Sequence, residues 1–388
     1  MSRDPGTLLA HVGRDPFANH GIVNPPVYHA STILYPTLAA LEEAERTPYE
    51  GTRYGRRGTP TTFALQDAVA KLEGGYRCVA LSSGLAAITT ALLAFLAAGD
   101  HLLMVDTTYG PVRRFCDTLL KGLGIETTYY DPLADPASLL RPNTRVVYLE
   151  SPGSLTFEVQ DVARAAASAR AAGAVSILDN TWSAGLYLQP FELGVDVSIQ
   201  AATKYIVGHS DVMLGTITAT EPRWPRLRRA SALLGAAAAP DDCYLALRGL
   251  RTLATRLDRH QRTAIEIAQW LETRPEVVRV LHPALPSCPG HEIWRRDFSG
   301  SNGLLSVVLQ PTPRAGLAAM LDGMGLFRMG YSWGGFESLI VPFDPASVRT
   351  ATRWTDTGPC LRLHCGLENI KDLVADLEAG LARLGAAS

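Results

Sequence analysis

Short β-branched and apolar runs at 78–81, 102–105, 146–150, 177–179 and 197–200 alternate with stretches of helical periodicity, and this alternation constrains the fold more than any other feature. Repeated strand–helix units build an open α/β sheet, because each helix must cover a sheet face before the chain returns to the next strand. In such sheets ligands gather at the carboxyl ends of the strands. The chemistry-bearing residues of this chain lie at those ends. The run ending at Asp179 breaks at Asn180-Thr181, and the run at 197–200 leads through small residues to Lys204 and a Gly208-His-Ser turn.

An aspartate and a lysine at neighbouring strand ends suit a pyridoxal phosphate site, where the lysine anchors the cofactor covalently and the carboxylate keeps its pyridine nitrogen protonated. Taken singly, each also reads as a surface lysine or a capping aspartate. The run at 78–81 continues into Ser82-Ser83-Gly84-Leu85 at the start of a helix. There the free N–H groups of Gly84 and Leu85 make an anion site, and Ser83-Gly84 lets a phosphate approach the backbone.

Charge and targeting narrow the function classes. The net charge of −2 over 388 residues, without a basic patch interleaved with aromatics, gives no electrostatic case for nucleic acid or an anionic membrane. Met1-Ser-Arg-Asp-Pro-Gly6 lacks a basic start followed by an apolar core, and the longest apolar stretch, 85–98, is interrupted by Thr89 and Thr90. A cytoplasmic protein is therefore expected. The six cysteines and nine histidines are dispersed without zinc-type spacing, so no metal is expected and the cysteines read as buried thiols. His209 reads as a turn residue holding backbone.

Residues 1–57, rich in Pro, Tyr, His and Asn with one helical stretch at 38–45, cannot bury a core of their own and form an arm lying across another surface. A helix from 61 ends at Gly74-Gly75. The Ala-rich stretches 163–174 and 236–239 read as helices, since Ala is the strongest helix former. A long helical pattern from 248 to about 270 places a domain boundary near 250. Residues 58–250 are then the large cofactor-binding α/β domain and 251–388 a smaller α+β domain, with strands at 277–281, 304–309, 339–341 and 360–364 and helices near 314–323 and 369–384.

Five ordered segments, Tyr54-Gly-Arg-Arg-Gly-Thr59, Leu178-Asp-Asn-Thr-Trp182, Ser198-Ile-Gln-Ala-Ala-Thr-Lys-Tyr205, Tyr331-Ser-Trp-Gly-Gly335 and Arg362-Leu-His-Cys-Gly-Leu-Glu368, resemble the Cys/Met-metabolism family of pyridoxal phosphate enzymes, and within it bacterial cystathionine β-lyases. The resemblance implies fold-type I: a large, mainly parallel sheet with a smaller C-terminal domain. It implies that Lys204 carries the cofactor and shuttles the substrate proton, that Asp179 holds the ring nitrogen, and that Thr203, Ser83, Gly84 and Leu85 bind the phosphate. Tyr109 is to stack on the ring. The arm is to cross to a neighbouring subunit, where Tyr54 and Arg56 bind the partner's phosphate, so a homo-oligomer is expected, a catalytic dimer paired into a tetramer. Tyr109 and Tyr54 join Lys204 as catalytic residues.

On the same resemblance Arg362 takes the substrate α-carboxylate in a pocket completed by Tyr331, Ser332 and Trp333. Relatives acting at the γ-carbon usually carry Leu where this chain has Trp333. Three departures stand out: Ala202 where many relatives have Ser, Arg113-Arg114 where bacterial β-lyases tend to have an aspartate, and Ala232 where they tend to have a tyrosine. Both of the last two departures fall in the distal half of the substrate pocket, where Arg113 or Arg114 would repel the distal ammonium of cystathionine if either points inward; Arg114 is counted among the substrate-binding residues. The expected activity is a carbon–sulfur β-lyase converting cystathionine to homocysteine, pyruvate and ammonia, in transsulfuration and methionine biosynthesis. The alternatives are a β-lyase for another cysteine S-conjugate, a γ-acting relative (cystathionine γ-synthase, γ-lyase or sulfhydrylase), and a non-catalytic binding protein on the same scaffold.

Overall fold

The computed structural model describes residues 4–47 and 50–386; Met1 to Arg3, read above for a leader, lie outside, as do Pro48, Tyr49, Ala387 and Ser388. Seven strands, β1 (Arg77–Leu81), β2 (His101–Val105), β3 (Glu126–Tyr130), β4 (Thr144–Glu150), β5 (Val175–Asp179), β6 (Val197–Gln200) and β7 (Gly215–Ala219), form one sheet in the order β1-β7-β6-β5-β4-β2-β3. Only β7 runs against its neighbours. The carboxyl ends of the other six strands therefore share one edge.

Both faces of this sheet are buried, as expected of parallel strands joined by helical crossovers. Leu102 and Met104 of β2 pack on one side with Ile88 and Leu92 of helix Gly84–Phe95, while Leu103 and Val105 pack on the other with Val162 and Ala165 of helix Val162–Ala171. The period-2 alternation that makes this possible continues in β4, with Val146 and Tyr148 facing one core and Val147 and Leu149 the other.

A second sheet holds β8 (Val277–Leu281), β9 (Leu304–Leu309), β10 (Arg328–Met329), β11 (Leu339–Phe343) and β12 (Cys360–His364) in the order β10-β11-β12-β9-β8. Helices Arg314–Asp322 and Ile370–Ala386 cover one side of it.

The structure departs from the sequence reading in four places. Residues 236–239 form no helix: Gly235 takes φ +70° after helix Trp224–Leu233, and Pro240, first residue of helix Pro240–Leu250, holds Ala239 extended. Here two flanking breakers override alanine's propensity. The long pattern from 248 is two helices, Pro240–Leu250 and Leu253–Glu272. The second joins both cores, burying Leu253 and Leu257 with the large sheet and Ile267 and Leu271 with the small one. Strands β3 and β7, and the two-residue β10, are absent from the sequence reading. Lastly, the arm is not wholly detached, because helix Pro5–His11 and the residue after it bury Leu9 and Val12 in the chain's own core. The rest of the arm leaves Phe17 and Leu34 exposed.

Candidate active site

The neighbouring ends of β5 and β6 bring Asp179 and Lys204 together. Beyond β6 the chain makes a tight turn in which the Lys204 N–H donates to the Ala201 carbonyl at 2.9 Å and the Gly208 N–H to the Lys204 carbonyl at 2.8 Å. The His209 ring meets the Val207 carbonyl at 2.7 Å, the backbone role expected of it. Lys204 Nζ donates to Ser332 Oγ at 2.5 Å and lies 5.1 Å from the centre of the Trp333 ring. Burial, and then the Arg362 guanidinium, lower its pKa to about 8 against the opposing pull of Asp179. An amine so placed gives up its proton far more readily near physiological pH than an ordinary lysine, as a group that must later accept the substrate proton requires.

Asp179 closes β5 with a buried carboxylate. Its Oδ1 accepts the Thr181 N–H at 3.0 Å and the Thr181 hydroxyl at 2.5 Å. On the adjacent strand Glu150 stands in register with it, and neither position nor composition singled Glu150 out beforehand. Glu150 Oε2 accepts the Tyr109 N–H at 2.7 Å, and its other oxygen takes the Ser154 hydroxyl. Burial and then the Asp179 charge push the Glu150 pKa up. Two carboxylates side by side do not both ionise easily; the cation of Lys204 favours charge on Asp179 and leaves the proton with Glu150. The Tyr109 phenol is likewise raised, by burial, Glu150 and Asp179, against Arg362, so it keeps its proton at neutral pH.

From the small sheet, Arg362 on β12 donates through Nη2 to the Ser332 carbonyl at 2.8 Å, and its buried Nε has no hydrogen-bond partner among the described residues. Burial lowers its pKa to about 10, still fully cationic at neutral pH. A buried guanidinium N–H with no protein acceptor, beside a lysine, suits recognition of a carboxylate. Ser332 holds φ +79° and Gly334 φ +90°, while Tyr331 before them is 95% exposed.

No hydrogen bond, ion pair or ring contact joins Tyr54 or Arg56 to Lys204 among the described residues. Tyr54 and Arg56 line a pocket of about 390 Å³ together with Tyr35, Leu41, Glu45 and Arg53, and Arg56 Nη1 donates to the Ala232 carbonyl at 3.0 Å. The two arginines after Tyr109 part company. Arg113 turns inward, paired with Asp106 and stacked 3.6 Å from the Tyr129 ring centre, whereas Arg114 is exposed and its guanidinium meets no partner among the described residues.

The profile of Cys/Met metabolism PLP-dependent enzymes matches residues 6–382. The chain belongs to that family. Cystathionine β-lyase of Escherichia coli K12 is 46% identical over 97% of this chain and 98% of its own length. A Rhizobium johnstonii protein, provisionally named a cystathionine β-lyase, is 50% identical over 98% of this chain and 96% of its own. Among solved structures, cystathionine γ-synthase from Xanthomonas oryzae pv. oryzae in complex with cystathionine superposes with a TM-score of 0.91 at 31% identity, with both chains fully covered.

The site of this family member fits pyridoxal phosphate. Helix Gly84–Phe95 starts with N–H groups that have no intrahelical acceptor, and Ser83 Oγ, which accepts the Ala86 N–H at 3.1 Å, still has its own proton to give. A side chain at Gly84 would meet Ala201 Cβ at 2.5 Å, so the cradle admits only backbone there. Thr203 fits less simply. Its hydroxyl donates to the Leu214 carbonyl at 3.1 Å and accepts the Leu214 N–H at 2.8 Å. That leaves no proton for a phosphate, and Ala202 beside it has none to offer.

Proposed function

We propose that the chain is a pyridoxal phosphate-dependent carbon–sulfur lyase that eliminates homocysteine from cystathionine and releases pyruvate and ammonia. The observation that carries the reading is the convergence of Lys204, its pKa lowered to about 8, and Asp179 at the strand ends of the large sheet with Arg362 of the small one, beside Ser332 and Trp333. The identity to cystathionine β-lyases supports the substrate.

Ser83, Gly84 and Leu85 hold the phosphate and Asp179 the ring nitrogen, with the Tyr109 ring over the cofactor. Bound there, pyridoxal phosphate supplies a sink for the electron pair left when Cα loses its proton. Arg362 pairs with the α-carboxylate through its free Nε, and Lys204 Nζ takes the Cα proton. As the Cβ–S bond breaks, the sulfur leaves with the bonding pair and receives a proton from Lys204 or the Tyr109 phenol. Water then converts the three-carbon remainder to pyruvate and ammonia.

Residues 58–250 form the cofactor-binding unit, closed by the small domain. Tyr54 and Arg56 complete the neighbouring subunit's phosphate site in a dimer, itself paired into a tetramer, in the cytoplasm. That the pocket they line does not include Lys204, and that Phe17 and Leu34 of the arm are exposed, support this assembly.

The test incubates the holoprotein with L-cystathionine and assays pyruvate, 2-oxobutyrate, homocysteine and cysteine. Equal amounts of pyruvate and homocysteine are expected, absent in Lys204→Ala. Cysteine with 2-oxobutyrate would instead make it a γ-lyase, and no turnover of any cysteine S-conjugate would leave a binding protein.

A further inference from the structure

Strand β12 presents two side chains to the 331–335 loop, two residues apart and so on one face of the strand. Arg362 is the first and is already placed in the site. The second, His364, is fully buried and has no part in the chemistry above. Its Nε2 lies 3.1 Å from the Gly334 nitrogen and its Nδ1 3.1 Å from the Glu337 carbonyl oxygen. A backbone N–H can only donate and a carbonyl can only accept. The ring must therefore be neutral, with its proton on Nδ1 and its lone pair on Nε2 towards Gly334.

What Gly334 touches gives this bond its consequence. A Cβ on Gly334 would stand 2.9 Å from the Lys204 carbonyl carbon and the Tyr205 nitrogen, so the loop rests directly on the backbone of the reacting lysine. Two residues earlier Ser332 occupies the left-handed region at φ +79°, a conformation a non-glycine residue keeps only when its surroundings over-determine it. The contacts that do so are Arg362 on its carbonyl, Lys204 on its hydroxyl, and the His364 bond to Gly334. Trp333 lies between these points, 5.4 Å from Tyr205. Protonation of His364 is opposed by its burial, by His260 with ring centres 5.2 Å apart, and by the Arg362 and Lys204 cations.

We propose that His364 is a positioning residue for substrate: a neutral imidazole of fixed tautomer that holds Gly334, and through it Ser332 and Trp333, against Lys204 and Arg362. The identity of the pocket as the α-carboxylate site rests on the functional reading above; the hold on Gly334 does not.

The test separates the two ring nitrogens. His364→Gln puts an acceptor at the reach of Nε2, while His364→Asn keeps a donor near Nδ1 and loses the acceptor. Hydrogen–deuterium exchange across 330–336, measured in apoprotein and holoprotein, is expected to quicken about five- to ten-fold in Asn, the factor for one lost hydrogen bond, and to stay near wild type in Gln. KM for cystathionine should rise by a similar factor in Asn with kcat less affected, and Gln should restore it. Equal behaviour of Asn and Gln in exchange overturns the hold on Gly334. Faster exchange in Asn with unchanged KM overturns its role towards substrate. If instead Arg362→Ala leaves KM unchanged, the carboxylate assignment fails while the exchange result still decides His364. Selective 15N-histidine NMR of the wild type needs no variant: a non-titrating Nδ1–H ring is expected, and an Nε2–H ring refutes the proposal.

Discussion

Asp106, at the carboxyl end of β2, is where the two sheets are latched, and removing it should cost more than removing its ion-pair partner. Its side chain is fully buried and pairs with Arg113, itself 10% exposed. The carboxylate also accepts the N–H groups of Thr350, Ala351 and Thr352 at 2.9–3.2 Å and the hydroxyls of Thr350 and Thr352. Asp106→Ala therefore strands three backbone donors together with a buried cation, a loss on the order of 3–5 kcal/mol. Arg113→Ala leaves the carboxylate with five protein donors; what goes is the ion pair, the guanidinium's bonds to the Thr350 hydroxyl and the Asp106 carbonyl, and the stacking on Tyr129, with no buried donor stranded, roughly 2–4 kcal/mol. Urea unfolding of the apoprotein by circular dichroism, at one protein concentration because assembly shifts apparent stability, should rank Asp106→Ala below Arg113→Ala. A midpoint for Arg113→Ala equal to or below that of Asp106→Ala refutes the argument. Burial raises the Asp106 pKa, but the bonds from Thr350 and Thr352 and the Arg113 charge outweigh it and leave the pKa lowered. Its stabilisation is then complete above the ordinary carboxylate range and lost as pH falls through the lower folded value, so wild type and Asp106→Ala should converge in acid.

Mixing inactive Arg56→Ala with inactive Lys204→Ala subunits should restore part of the activity, since a hybrid dimer holds one site with both residues intact; exchange without recovery would put Arg56 in its own subunit's site. Arg114 is exposed, and its guanidinium is without a partner among the described residues. If it faces the pocket, Arg114→Asp raises kcat/KM for cystathionine relative to cysteine conjugates lacking the distal amine, and an unchanged ratio makes it a surface residue. The Lys204 amine, with a pKa near 8, should react with an amine-selective reagent in the apoprotein at a rate that rises as pH passes through about 8. Arg362→Leu should move that midpoint upward by removing a neighbouring positive charge, and a midpoint that stays put would show that the guanidinium does not act on the amine.

Local pattern alone determined the strand ends that carry Asp179 and Lys204, the helix start at Ser83-Gly84, and β12 with Arg362. Each combines a run of β-branched or apolar residues with a break a few positions long, and such signals survive without neighbours. Glu150 was just as visible as the last residue of a strand, yet only its register with Asp179 in the folded sheet turns it from a strand terminus into a protonated partner. Tertiary structure also chose between Arg113 and Arg114. The helix carrying them, Gly110–Phe115, is too short for its apolar period to set a phase, and only Asp106 and Tyr129, fixed by other strands, draw one guanidinium inward. In the sequence His364 is only the last residue of the 360–364 strand; Gly334, thirty residues away in the chain, supplies the N–H that fixes its tautomer. Propensity, breakers and pattern act over a few residues, whereas a buried charge or lone pair takes its meaning from whatever distant backbone the fold sets against it.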